Sequence, residues 1–261
     1  MFVKFLLLFS LILSGVCLAS DYATDLKNEN IYGSKENEKL SLYQPTYFIF
    51  GLNDLKLQFS FKYRLAKSIP LYFGLTQTMF WNIYEESKPF HDINYFPEVF
   101  YRLIDKENDA FKTLDMGYLH SSNGKKGDES RSADRIFIRT NYLTKFGRHD
   151  LDFNLMLFTI YNLDNTNLDL LDHIGFWDLK IGITKIIVHQ KQSLDLELRF
   201  FAGSKVIDFK NGAYQVGLIY NLASANINPA IYLQRYEGYA EHLLDYKKRH
   251  SETRFGFLFS Y

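Results

Sequence analysis

The sequence holds one cysteine, five prolines and two tryptophans in 261 residues, and no excess of charge, with 30 Lys+Arg against 30 Asp+Glu. A single cysteine excludes a disulfide framework and any zinc site built on cysteines. Balanced charge leaves no polybasic surface to hold nucleic acid by counterion release, so no nucleic-acid partner is expected. Beyond the first twenty residues no segment approaches the roughly 18 consecutive apolar residues of a transmembrane helix. Aromatic residues are what the chain has in abundance, with 24 Phe and 19 Tyr. That supply implies either a large aromatic core or long strands facing an apolar medium.

Lys4 precedes the apolar run FLLLFSLILSGV, and Cys17, Leu18, Ala19 and Ser20 follow it. This is the pattern of a secretory signal peptide, with cleavage expected after Ala19. Val16 is too bulky for the lipoprotein variant of that signal. The expected organisation is a signal peptide over 1–19, a polar lead-in over 20–42 and one β-domain over 43–261. An exported chain without a membrane helix either stays soluble or crosses a membrane as strands.

From Tyr43 onward, segments of about ten residues alternate in polarity between turn-forming residues. Twelve strands are expected, over 47–52, 55–65, 71–82, 95–104, 110–121, 134–142, 150–162, 175–188, 194–202, 212–221, 227–237 and 252–261. In the tenth, Tyr214, Val216, Leu218 and Tyr220 share one face while Ala213, Gln215 and Gly217 lie on the other. Lipid outside and a polar, small-residue lumen inside account for that alternation. The connections around 83–94, 122–133, 163–173 and 238–251 are long, whereas those after the second, fourth, sixth and eighth strands are short. The reading is therefore all-β, a twelve-stranded antiparallel transmembrane β-barrel in the outer membrane, with a secreted β-sandwich as the alternative architecture.

A barrel does not define an activity; a site must. His120 and Ser122 stand two apart at the end of one strand, and Asp134 opens the next. Side chains at i and i+2 of a strand lie on one face, so an imidazole is placed beside a hydroxyl, with a carboxylate across the ladder to orient it. H-x-S by itself is a weak motif. Its face is the informative part, because Leu114, Met116 and Tyr118 share it, as do Ile136 and Ile138 with Asp134, while Arg135 and Arg139 point inward. A polar trio ending a lipid-facing row is costly unless it serves acyl chains that lie in the bilayer.

These residues match a known pattern. The run His120, Ser122, Asn123, Gly124, then Ser130, Arg131, Ser132, Asp134 and Arg135, with Glu85, Glu86, Ser87, Pro89, Phe90, Asn94 and Tyr95 upstream, resembles the signature of the outer membrane phospholipase A family. The aromatic row Phe255, Phe257, Phe259 and Tyr261 resembles the C-terminal assembly signal of outer-membrane barrels. The resemblance implies Ser122 as nucleophile, His120 as general base and then acid, Asp134 as orienting group and the Gly124 N–H as an oxyanion donor. It further implies Ca2+ held by the Ser130 hydroxyl, the Lys125 carbonyl and Ser87 of a second subunit, hence a homodimer, with Gln77 at the dimer contact. Members commonly carry Asn where Asp134 stands, and Arg where Lys125 stands; Gly127 replaces a frequent acidic residue. The residues alone leave open whether Gln77 faces lipid or lumen.

Other clusters receive no role. Asp164, Asn165, Asn167, Asp169 and Asp172 lack the glycine and terminal Glu of a calcium hand and read as a solvated turn. Lys247, Lys248, Arg249 and His250 read as a solvated charge run, with lipid A phosphates as the alternative contact. His91, His149, His173, His189, His242 and His250 show no ligand spacing. The implied function is a calcium-dependent serine acyl hydrolase (phospholipase A1/A2), activated by dimerisation, working at the external leaflet on glycerophospholipids and lysophospholipids. The alternatives are a non-catalytic barrel, either a small pore or a structural protein, and a soluble secreted esterase.

Overall fold

Alternating polarity fixes which face of each strand is wet, and the ladder decides how the strands close. The computed structural model describes residues 39–106, 109–189, 192–222 and 228–260. The expected signal peptide and Tyr261 lie outside the described residues. The strands are β1 (Leu40–Leu42), β2 (Thr46–Phe50), β3 (Leu55–Arg64), β4 (Leu71–Trp81), β5 (Phe90–Asp105), β6 (Phe111–Ser122), β7 (Ser132–Phe146), β8 (His149–Leu163), β9 (Trp177–His189), β10 (Gln192–Phe201), β11 (Ala213–Asn221), β12 (Asn228–Gly238) and β13 (His250–Ser260). From β2 to β13 each strand pairs antiparallel with its successor, and β13 pairs back onto β2 from Phe255↔Phe50 to Phe259↔Thr46. The sheet is thus a closed twelve-stranded barrel. The short β1 extends the line of β2 along β3, with Leu40 opposite Tyr63, so pairing begins ahead of the expected boundary at 43. Pro45 stands in the break between them, where no ladder N–H is needed.

Residues are distributed inside out relative to a soluble domain. Met116, Ile136, Ile138, Tyr214, Leu218, Phe255 and Phe257 are exposed on the outer face, whereas Lys56, Glu98, Asp115, Arg139, Gln234 and Arg254 are buried. Closure of the ring and the apolar outer band exclude the sandwich, although the interior also holds aromatic residues such as Phe80, Phe100, Phe137 and Tyr232. Charges in the lumen are paired. Arg139 reaches Glu98 Oε2 at 3.1 Å and Asp115 Oδ2 at 3.3 Å, and Arg102 Nε reaches Asp115 Oδ1 at 2.9 Å.

The strand expectations fall short mainly at β5 and β7, which run past their apolar bands. Polar residues such as Thr144 and Asp150 stay paired because the turn at Gly147 and Arg148, with Gly147 at φ 60°, holds the register out to Phe146↔His149.

At the end bearing the long loops, residues 239–249 fold over the lumen, burying Leu243 and Tyr246. Glu241 anchors them: its Oε1 lies 3.1 Å from Lys56 Nζ and 2.6 Å from Arg254 Nη1. Burial pushes the Glu241 carboxyl up, but Lys56 and Arg254 outweigh it and hold it at about 2. The stabilisation from this carboxylate is therefore complete above its usual value and fades as pH falls toward 2.

Adjacent positions on β7 test this geometry. Ile138→Arg is expected to cost about 2–4 kcal/mol in a bilayer, because it places a cation in the lipid-facing band. Arg139→Leu is expected to cost about 3–5 kcal/mol, since Glu98 loses its guanidinium partner and Asp115 keeps only Arg102. Urea unfolding of the protein in lipid vesicles measures both; a neutral Ile138→Arg would show that this face does not meet lipid.

Candidate active site

The site lies on the outer face of β6, β7 and β8, at the end with the long loops. Two rows of the ladder assemble it. One runs Gln77↔Tyr95↔Ser122↔Ser132 across β4 to β7, and the next runs His120↔Asp134↔Asn162 across β6 to β8. His120 Nδ1 lies 2.7 Å from Asp134 Oδ1. A carboxylate only accepts, so Nδ1 carries the proton and Nε2 is left as the base. Asp134 accepts two further bonds, from the Tyr118 hydroxyl to Oδ1 at 2.8 Å and from Asn162 Nδ2 to Oδ2 at 2.7 Å. Ser122 stands one pleat beyond His120 on the same face, roughly 6.6 Å away along the strand. Among the described residues no hydrogen bond joins Ser122 Oγ to the ring.

The sequence reading places Tyr118 on this face without giving it a role, and gives none to Asn162. The role of Tyr118 is visible in hindsight, two residues before His120 on the same face. Asn162 depends on a bulge. Asp134 opposes Asn162 but Arg135 opposes Ile160, so Tyr161 is an extra residue on β8. That insertion reverses the alternation above it and brings Asn162 out of the lumen side to Asp134.

The connection 123–131 is organised by Asn123, which is buried. Its Oδ1 accepts from the N–H groups of Lys125 at 3.3 Å and Arg131 at 3.0 Å, and its Nδ2 donates to the Glu129 carbonyl at 2.9 Å. Gly124 follows with φ 66°, and a Cβ there would meet the Tyr95 ring at 3.1 Å. Glycine is therefore required where the chain turns back beside Ser122.

Ser130 Oγ donates to Asp164 Oδ2 at 2.8 Å, and the single Thr166 hydroxyl proton lies in reach of both Asp164 Oδ1 and the Ser130 carbonyl. Asn167 bonds the N–H and C=O of Ser132 at 3.1 and 3.0 Å. The acidic stretch around Asp164 is thus wired to the site, a correction to its reading as a solvated turn. Ser130, Thr166, Asp164 and the Lys125 carbonyl offer oxygen only, a donor set suited to a hard ion such as Ca2+. Lys125 itself points its ammonium to Glu129, 3.1 Å away. Ser87 stands elsewhere, exposed in the turn between β4 and β5 at φ 62°. Gln77 lies on the outer face, because Tyr72, Thr78 and Phe80 fill the inner one. The basic run is a solvated one, as expected: Lys247, Lys248 and Arg249 are exposed, and they pair with Asp169, Asp245 and Glu237.

A closed barrel with an imidazole–carboxylate pair and a serine on its outer face defines a class of integral membrane barrels with a site turned toward the lipid boundary. The chain belongs to the phospholipase A1 family, whose sequence model matches residues 15–259. A relative from Neisseria meningitidis serogroup B is 27% identical over 221 residues, covering 79% of this chain and 54% of that protein. Escherichia coli phospholipase A1 is 28% identical over 219 residues, covering 75% and 67%. The chain thus spans about half the length of the first relative and two thirds of the second. The outer membrane phospholipase of Salmonella typhi, in a crystal structure of the dimer with bound calcium, superposes with a TM-score of 0.69 at 23% identity, over 86% of this chain and 94% of that one. The Escherichia coli outer membrane phospholipase A structure likewise gives 0.69.

Asn123→Ala removes the acceptor of two backbone donors. Amide exchange at Lys125 and Arg131 is expected to rise by about 10- to 100-fold, corresponding to roughly 1–3 kcal/mol of lost local stability. Unchanged protection at both amides would show that the connection is held by other contacts.

Proposed function

We propose that the protein is an outer-membrane serine acyl hydrolase that releases fatty acids from glycerophospholipids and lysophospholipids presented by the external leaflet, at either glycerol ester position. The observation that carries this reading is the His120–Asp134 hydrogen bond beside Ser122 on a lipid-facing row. Acyl chains packed against Met116, Tyr118 and Ile136 would bring an ester to the rim without leaving the hydrocarbon.

Ser122 Oγ attacks the ester carbonyl carbon while His120 Nε2 takes the hydroxyl proton. Collapse of the tetrahedral intermediate breaks the C–O bond to glycerol, and the same proton passes to the leaving alkoxide. Water then repeats the sequence on the acyl-serine and releases the fatty acid. Asp134 holds the ring in the required tautomer and offsets the imidazolium charge, while Tyr118 and Asn162 keep the carboxylate in place beside lipid. The Gly124 N–H donates to the developing oxyanion. Calcium, when bound by the Ser130 hydroxyl, the Lys125 carbonyl and Ser87 of the partner subunit, supplies electrophilic stabilisation of that charge. One subunit provides too few ligands near Ser122, so the site is completed by dimerisation, and the outward amide of Gln77 finds its counterpart in the second subunit. The calcium-bound dimer of the Salmonella typhi protein supports this arrangement. The lumen, crowded by ion pairs and covered by residues 239–249, gives the pore alternative no support.

Ser122→Ala should fold, as judged by heat-modifiable gel migration, and lose hydrolysis of phospholipid micelles by on the order of 10^3-fold or more. Asp134→Asn should be milder than Asp134→Ala, since an amide can still accept from Nδ1. Near-normal turnover of Ser122→Ala would end the serine-hydrolase reading.

Subunit sharing is tested by mixing. Ser87→Ala and Ser122→Ala, each inactive alone, should together recover calcium-dependent activity, because a mixed dimer has one complete site. A mixture no more active than its components would show that Ser87 does not serve the neighbouring subunit.

A further inference from the structure

Three histidines without ligand spacing in the sequence converge where residues 239–249 cover the barrel. His91 sits at a bulge: Phe80 opposes Asp92 but Trp81 opposes Phe90, so His91 is the extra residue on β5 and is released from strict alternation. It meets the covering loop, with Nε2 2.8 Å from Asp245 Oδ2. His242, buried on that loop, packs its ring 5.0 Å from His91 and 4.8 Å from His250, the first residue of β13. One ligand atom each from His91, His242 and Asp245 lies within 4.8 Å of the others.

Two further observations point to a missing ligand. His250 Nε2 is buried without a hydrogen-bond partner, and so is Asp92 Oδ1. Asp92 is itself 1% exposed; its Oδ2 lies 3.6 Å from His242 Nδ1 and accepts from Asn94 Nδ2 at 2.6 Å and the Leu244 N–H at 2.8 Å. Asp92 stands behind His242 as a carboxylate that a metal-bound imidazole would draw in, whereas His242 Nδ1 now faces the Asp245 N–H at 3.5 Å. Lys248 pairs with Asp245 Oδ1 at 2.9 Å, leaving Oδ2 on the side of His91.

We propose that His91, His242 and Asp245 form a binding site for a zinc-class divalent ion, with His250 as the fourth ligand. The imidazoles select this class over calcium, which takes oxygen ligands only. Bonds of about 2.0–2.1 Å from a tetrahedral ion place ligand atoms roughly 3.3 Å apart. Among His91, His242 and Asp245 the present spacings, 2.8 Å for the closest pair and up to 4.8 Å, bracket that value, so for these three small rotations suffice, and the His250 ring, 4.8 Å from that of His242, turns in with its free Nε2. Bound metal would pin the covering loop to β5 and to the start of β13, a function separate from ester hydrolysis.

The full-length untagged protein, folded in detergent and stripped by chelator, is titrated with Co2+ in the presence of saturating Ca2+. One equivalent is expected, with the visible absorption of four-coordinate cobalt, displaced by Zn2+. His91→Ala and Asp245→Asn should each weaken binding by about 100-fold, and Asp92→Asn by about 10- to 100-fold. Ser122→Ala should bind as the parent does, which separates this site from the hydrolase reading. Zn2+ should also slow proteolysis within residues 239–249 in the parent and leave His91→Ala unaffected. His91 is partly exposed, so that variant keeps the test available if His242→Ala fails to fold. Absence of the cobalt spectrum, or binding unchanged in both His91→Ala and Asp245→Asn, would overturn the proposal.

Discussion

The pairing of β13 with β2 is the constraint from which the rest of the molecule follows. In hydrocarbon an unpaired N–H or C=O has no water to turn to, so a sheet that crosses a membrane must have no edge. Closure satisfies the backbone and leaves the side chains to sort by face. Apolar and aromatic residues meet lipid, and the lumen takes the charges, which must then pair with one another. Arg139 with Glu98 and Asp115, and Arg254 with Asp54 and Glu241, are the result of that sorting.

The site departs from the same rule, since His120 and Asp134 carry polarity on the face that elsewhere holds Ile136, Ile138 and Met116. The departure is tolerated at the rim because the carboxylate is not left to the lipid: Tyr118, His120 and Asn162 each donate to it. A carboxylate with three donors keeps its orientation as acyl chains move past, which a serine-based mechanism needs more than it needs depth. The connections above are equally fixed, through Asn123 within one loop and Asn167 between two.

Much of this architecture is legible in the sequence because a barrel strand is a local object. Period-two alternation in β6, β7 and β11 places Ser122, Arg139 and Gln215 on their correct faces, and the H-x-S spacing needs only two residues to be read. What escapes is whatever depends on a single inserted residue or on distant strands. The extra Tyr161 inverts parity so that Asn162 faces Asp134, and the extra Phe90–Asp92 residue, His91, turns from its expected row. No pattern within β8 or β5 announces these changes. Ser130 with Asp164, and His91 with His242, are separated by whole staves of the barrel, so spacing along the chain carries no sign of them. The two-sided uncertainty over Gln77 is of another kind: its strand carries aromatic residues on both faces, Phe73 and Trp81 outside and Tyr72 and Phe80 inside, and the register with Phe59 and Tyr95 places it outward.

Glu241 has an implication for the order of assembly. Its carboxylate sits between Lys56, on β3 near the start of the barrel, and Arg254, on the last strand β13. Those two cations come together only when the ends of the sheet have met. In an open sheet the loop would bury Glu241 beside one cation at most, a poor bargain for a charge leaving water. Seating of residues 239–249 is therefore a late event that reads out completion of the ring, and the covering loop serves as a latch that engages only on a finished barrel.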